Sequence, residues 1–172
     1  MATYLNIINQ VMVKLREPSV TSVSENEYSA MVGALVNETK REVEDAWRWI
    51  SLRETIAVNT VIGTSEYSIT GAGKRFRLQD PLTSVYNHRT PDAVYVINFN
   101  VVVPQVSLVS DSDILQCPDW PVILGTYAKA IAERGEDDGR SHGEAMSRFG
   151  NALSDAISFD ESLTQDEATW YA

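Results

Sequence analysis

Few residues in this chain have the type and spacing that chemistry needs. Gly71-Ala72-Gly73-Lys74 has the glycines and lysine of a phosphate loop. It lacks the spacing that lets successive backbone N–H groups wrap a phosphate, and no long helix follows directly, so it reads as a turn. Lys74, Arg75 and Arg77 form the densest basic patch, either a solvated strand face or a contact for an acidic partner surface or passing nucleic acid. His88 and His142 lie far apart with no nucleophile signature beside them. Cys117 precedes a proline at a helix entrance, which suits core packing better than catalysis. Asp111 with Asp113, and Glu136-Asp137-Asp138, are the acidic clusters that could take a divalent cation. Neither fits a calcium loop, and capping or linker roles suit them better. The expectation is a chain with no catalytic, cofactor or metal site.

Three apolar features ask for partners instead. Trp47 and Trp49 stand two apart on an expected helix and cannot share a face. Trp47 falls on the buried stripe, so Trp49 needs cover from a strand lobe or a neighbour. Ala93 to Val103 is apolar on both faces, either central in a sheet or part of a contact with another chain, with Tyr95, Ile97 and Phe99 among its residues. Trp170 and Tyr171 close the chain after a polar, acidic spacer and could anchor it in a groove on a partner.

The elements that must position these residues follow from periodicity. Leu5, Ile8, Met12 and Leu15 predict a first helix over Thr3 to Leu15, ended by Pro18. Tyr28, Val32, Leu35, Thr39, Val43, Ala46 and Ile50 predict one long helix from Ser24 to Leu52, about 40 Å at 1.5 Å per residue. Ser24 and Glu27 fit a capping box. Asn37, Glu38, Lys40, Arg41, Glu44, Asp45 and Arg48 fall mostly on the solvent side. Thr55 to Val61 with Glu66 to Thr70 reads as a hairpin, Lys74 to Leu78 as a half-buried strand, and Ala93 to Val103 as the strongest strand, with Val106 to Val109 as a possible continuation. Asp119 is the expected cap of a third helix that runs to Arg134 and stops at Gly135. Ser141 to Ile157 is the fourth.

The expected fold is therefore α+β. Residues 1–53 and 111–157 form a four-helix bundle of two N-terminal and two C-terminal helices. Residues 54–110 form an inserted antiparallel β lobe, and 158–172 a flexible acidic tail. The expected bundle core holds Tyr28, Val32, Leu35, Val43, Trp47, Ile50, Trp120, Ile123, Tyr127, Ile131, Phe149 and Leu153.

At 172 residues the chain is long enough for a real core. Its single cysteine allows no internal disulfide, and no apolar run approaches the roughly 20 residues of a membrane span. The N-terminus has no basic region before an apolar core, so no secretory signal is expected. A formal net charge of −10 argues against gripping nucleic acid over the general surface.

The order of several pieces resembles the head-to-tail adaptors of short-tailed bacteriophages, the tail tubular protein A group. Leu15-Arg16-Glu17-Pro18-Ser19-Val20 follows the first helix, where that family has a turn with Glu, Pro and Val. The second helix closes on Trp47 and Trp49, where the family has a tryptophan before its first strand. Glu66-Tyr67-Ser68-Ile69 followed by Arg75-Phe76-Arg77-Leu78 is similar to its strand pair. Cys117-Pro118-Asp119-Trp120-Pro121, Tyr127-Ala128-Lys129-Ala130 and Arg134-Gly135-Glu136 are similar to its third helix and acidic turn. The match covers about Met1 to Phe159, in a chain shorter than many such adaptors, mainly in the strand lobe.

The resemblance implies a virion protein of the phage neck and tail, made in the host cytoplasm. It implies a ring of itself, twelve-fold, between the portal protein and the tail nozzle protein, with DNA as passing cargo in the channel and no enzyme activity. Trp170 and Tyr171 would face the portal. Arg75, Arg77, Tyr95, Ile97 and Phe99 would face the nozzle or a neighbouring subunit. Alternative expectations are a neck or head-completion protein of a long-tailed phage, a small enzyme whose acidic residues converge in the fold, and a peptide-binding regulatory domain using a strand edge.

Overall fold

The computed structural model describes residues 2–64, 75–78, 91–135 and 140–163, with the backbone alone at 75–78, 99 and 140. Among them the protein is α+β, with four helices and one three-stranded antiparallel sheet. It divides into two compact units: residues Met1–Ile50 with Val106–Ala172, and residues Ser51–Gln105. No described helix is long and apolar enough to cross a membrane.

In the helical unit, α1 (Tyr4–Lys14) starts at Thr3, whose Oγ1 accepts the Asn6 N–H, and buries Tyr4, Ile7, Ile8, Val11 and Met12 at helical spacing. It ends in a Schellman turn: Glu17 N–H donates to Met12 O and Arg16 N–H to Val13 O. Arg16 thereby sits at φ 60°, the left-handed region that glycine fills more easily.

α2 (Glu27–Ala46) is shorter than its periodicity predicts, about 30 Å rather than 40. Its cap is Asn26, not Ser24. The Asn26 side chain accepts the Ser29 N–H at 2.8 Å, and Ser29 Oγ takes the Asn26 N–H at 3.2 Å, a reciprocal pair. At the other end Trp47 is already extended, and the Trp49 indole N–H turns back to donate to Val43 O at 2.7 Å. That carbonyl is one of the last four of the helix and has no partner further along it. The side chain that caps α2 is thus the one periodicity leaves off the stripe: Trp49 is fully buried, while Trp47, placed on the stripe, is only half-buried.

Two residues assigned to the solvent side, Lys40 and Glu44, are also buried. They lie one helical turn apart and bond at 3.0 Å, which offsets much of the desolvation of each charge.

α3 (Asp119–Arg134) packs against each of the other three helices. Gly125 permits this. A Cβ there would lie 2.5 Å from Thr39 Cγ2 on α2 and 3.0 Å from the Phe149 ring on α4 (Arg140–Leu163). The cap of α3 is Pro118, with Asp119 already in the first turn rather than capping it. Gly135 closes the helix in the left-handed conformation, as its position predicts. Arg134 in the last turn donates to Tyr28 Oη at 3.0 Å and Leu15 O at 3.3 Å, and pairs with Glu17, so one guanidinium ties α3 to the end of α1 and the start of α2. α4 runs six residues past its expected end at Ile157.

The segment before α3 is irregular, not a continuation of the sheet. Asn37 plays the part of a strand partner there: its side chain accepts the Leu108 N–H at 2.8 Å and donates to Leu108 O at 3.0 Å. Tyr4 and Leu5 N–H donate to Asp113 O and Asp111 O, and Leu115 N–H to Ala2 O.

In the sheet unit, β3 (Val96–Val102) is central, with β1 (Arg53–Asn59) on one side and β2 (Arg75–Leu78) on the other. Val102 stands opposite both Arg53 and Arg75, and Phe99 opposite Ile56 and Leu78. β3 is not apolar on both faces. Ile97, Phe99 and Val101 share one face, while the other reads Val96, Asn98, Asn100, Val102. The described partner of β1 is β3. The expected return strand from Glu66 to Thr70 lies outside the described residues.

Candidate functional site

The candidate chemical side chains that the structure describes, Cys117, Asp111, Asp113 and His142, each have a structural role or partner. Cys117 is buried in the helical unit, and burial, with Glu44 adding to it, pushes its thiol up to about 12. The neutral thiol is the stable form, so Cys117 acts as a small apolar core residue. Asp113 Oδ2 accepts the N–H groups of Val109 and Ser110, at 2.6 and 2.8 Å, and these bonds hold its pKa below the usual value. Asp111 Oδ1 accepts the Val23 N–H at 2.9 Å. The two aspartates therefore pin a turn and a loop rather than converge on a cation. Nδ1 of His142 lies 2.9 Å from Ala128 O. Among the described residues no group of three or more His, Cys, Asp or Glu is placed to hold a metal. His88, Gly71 to Lys74 and Glu136 to Asp138 lie outside those residues.

The helical unit presents exposed apolar side chains in several places, among them Val106 and Val109 in the segment before α3, and two of these places lie on helices. The first is a groove along the outer side of α1 at the entrance of α3. Asn6, Asn9, Gln10, Val13, Lys14 and Trp120 line it, with a cavity volume of about 340 Å³. Trp120, expected in the bundle core, is 50% exposed here. It stands in the first turn of α3, and its indole ring forms the groove wall with the Lys14 ammonium 4.9 Å from the ring centroid. Val13 beside it is 63% exposed.

The second place is the end of α4. Ala145, Phe149 and Ala152 are buried at helical spacing, and the same spacing continues through Ala156 to Phe159 and Leu163, which are 67% and 57% exposed. The helix thus carries its apolar stripe beyond the residues that cover it. Asp160, on these last turns, accepts the Trp47 indole N–H at 3.0 Å and the Ile50 N–H at 3.3 Å. This fixes the far end of α4 to the chain just after α2.

The residues expected at interfaces are not gathered into one site. Trp170 and Tyr171 lie outside the described residues. Arg75 and Arg77 are on β2, where their backbone alone is described, and Phe99 is on β3 likewise. Ile97 is buried within the chain, whereas its neighbour Val96 is 56% exposed because it lies on the opposite face. Tyr95 precedes β3 and donates its hydroxyl to Asp92. Of the expected core, Val32, Val43, Ile123 and Phe149 are buried, and Tyr28, Leu35, Trp47, Ile50, Tyr127, Ile131 and Leu153 are half-buried.

Periodicity missed both exposed patches. The second left a signal, since Ala152, Ala156, Phe159 and Leu163 keep a three-and-four spacing past Ile157. The groove left none, because it depends on how two helices separated in sequence by a whole lobe cross.

No protein-family model matches the chain, and no curated protein matches it.

Proposed function

We propose that this chain is a structural head-to-tail adaptor of a bacteriophage virion, of the tail tubular protein A kind. It assembles as a ring between the portal protein and the tail nozzle protein, around the channel through which DNA passes. In this reading the four helices form a bundle and the sheet is a lobe inserted into it.

The observation that carries the reading is the chain order of the two units. A helical unit is built from both ends of the chain, and a contiguous β unit, Ser51–Gln105, lies between them in sequence. That layout supports the reading because it follows the order helix, helix, strands, helix, helix that the resemblance implies. A second support is chemical. A chain of net charge −10 lining a channel repels phosphate and lets a genome slide, whereas a basic lining would release counterions and hold it. A third is that exposed apolar surface stands at more than one place on the helical unit, as a subunit that contacts unlike neighbours needs. The C-terminal aromatics Trp170 and Tyr171 anchor the chain on the portal.

The test is mass by light scattering after size exclusion, for the chain alone and with a portal protein from the same phage. A stoichiometric ring on the portal, lost when residues 164–172 are removed while the helical circular dichroism stays unchanged, is the expected result. A chain that binds neither portal nor nozzle protein overturns the reading.

A further inference from the structure

We propose that the end of α4 in one copy, through Asp155, Phe159 and Leu163, docks into the α1–α3 groove of a second copy, against Val13, Lys14 and Trp120. The contact rests on the ring reading above, and names the surfaces that join neighbours. Neither surface covers the other within one chain, since all four apolar residues are at least half exposed.

Their shapes correspond. Asp155, Phe159 and Leu163 follow at intervals of four, so they form one ridge about 12 Å long. The α1 side of the groove, from Asn6 to Val13, is about 10 Å long by the same rise. The groove, about 340 Å³ in volume, is open rather than enclosed, so an aromatic side chain would lie along it and not be engulfed.

Their charges correspond as well, and this selects a second copy as the occupant. The groove offers one ammonium, Lys14, held over the Trp120 ring, and no salt bridge joins it to a carboxylate among the described residues. The ridge offers the exposed carboxylate of Asp155 one turn before Phe159, likewise without a described salt bridge. Two copies that each carry 24 acidic against 14 basic residues repel one another over most of their surface. They approach most readily where a cation on one meets a carboxylate on the other. Because ridge and groove are different surfaces, each copy has one of each to offer, and the contact repeats from copy to copy.

The experiment pairs chemical cross-linking with charge reversal. Val13→Cys chains mixed with Phe159→Cys chains should form a disulfide-linked dimer under mild oxidation, while neither population alone does. The buried Cys117 stays out of the reaction. Lys14→Glu and Asp155→Lys, both on the surface, should each weaken self-association about two- to fivefold in sedimentation velocity. Their equimolar mixture should regain it, because the reversed charges then meet. Phe159→Ala should weaken it at least about tenfold.

Absence of the mixed disulfide at the highest soluble concentration overturns the contact. So does a charge-reversed mixture that associates no better than its components. Chains that form rings on the portal without the 13–159 cross-link remove this contact and leave the adaptor reading standing. Chains that cross-link as expected but ignore the portal remove the adaptor reading and leave this contact standing.

Discussion

Replacing Trp49 by Phe tests the arrangement at the end of α2 most directly. The indole is fully buried and its N–H donates to Val43 O at 2.7 Å. Phenylalanine keeps most of the apolar contact but is smaller by roughly 40 Å³, which at about 24 cal/mol per Å³ of cavity costs about 1 kcal/mol. It also leaves a buried helix-terminal carbonyl without its donor, a loss of about 1–3 kcal/mol. The sum is about 2–4 kcal/mol, which at a slope of about 1–3 kcal/mol per molar urea moves the unfolding midpoint down by roughly 1 M or more. The assay is urea unfolding followed by circular dichroism, so that removal of a fluorophore does not confound it. Trp120→Phe is the control. It exchanges a half-exposed indole for a phenyl ring and weakens the cation–π contact with Lys14, a loss of at most about 0.5–1 kcal/mol. If Trp49→Phe costs no more than Trp120→Phe, the indole does not cap α2 and the reasoning fails.

Four further outcomes are expected. Lys40→Met leaves Glu44 buried without the ammonium 3.0 Å away and should destabilise by about 3–5 kcal/mol, while Lys40→Met with Glu44→Leu should restore most of the loss, read as urea midpoints. Cys117, with its thiol at about 12, should react with a disulfide reagent at pH 8 about three orders of magnitude more slowly in the folded chain than in urea. The same shift makes the folded state hold its proton longer, so stability should decline as pH rises from about 9 toward 12, checked by thermal melts in that range. Arg16→Gly should stabilise the protein by about 0.5–1 kcal/mol, because glycine takes φ 60° at the Schellman position without the cost a side chain brings, and a raised melting temperature would show it.

Helix bodies were legible in the sequence, and helix ends were legible only where a backbone-specific residue marks them. Gly135 bounds α3 because left-handed backbone leaves little choice, whereas α1 ends four residues before Pro18 in a turn that places Arg16, not a glycine, in that conformation. The start of α2 was read at Ser24, two residues too early, because the reciprocal pair that caps it is Asn26 with Ser29. Its end was hidden, since Trp47 and Ile50 keep the apolar spacing that the indole of Trp49 interrupts. Lys40 and Glu44 look like a solvated pair by composition, and the burial of both is set by elements far away in sequence. β3 was legible as the dominant strand, but its two asparagines on one face show more alternation than its valine content suggests. Of the candidate site, the α4 ridge was written in spacing that continues past Ile157. The groove was not, because Val13, Lys14 and Trp120 come together only when α1 crosses α3.

The clasp between the first residues of α1 and the loop at Asp111 to Leu115 has a consequence for biosynthesis. When α1 and α2 leave the ribosome, their apolar faces have only each other. The residues that receive them are about a hundred codons downstream, or roughly 5–20 s at usual elongation rates. The sheet unit, contiguous from Ser51 to Gln105, is complete before that. During this interval the N-terminal hairpin of helices is the part of the nascent chain most open to chaperones and to premature association with other nascent copies. The helical unit can close only once α3 has been translated.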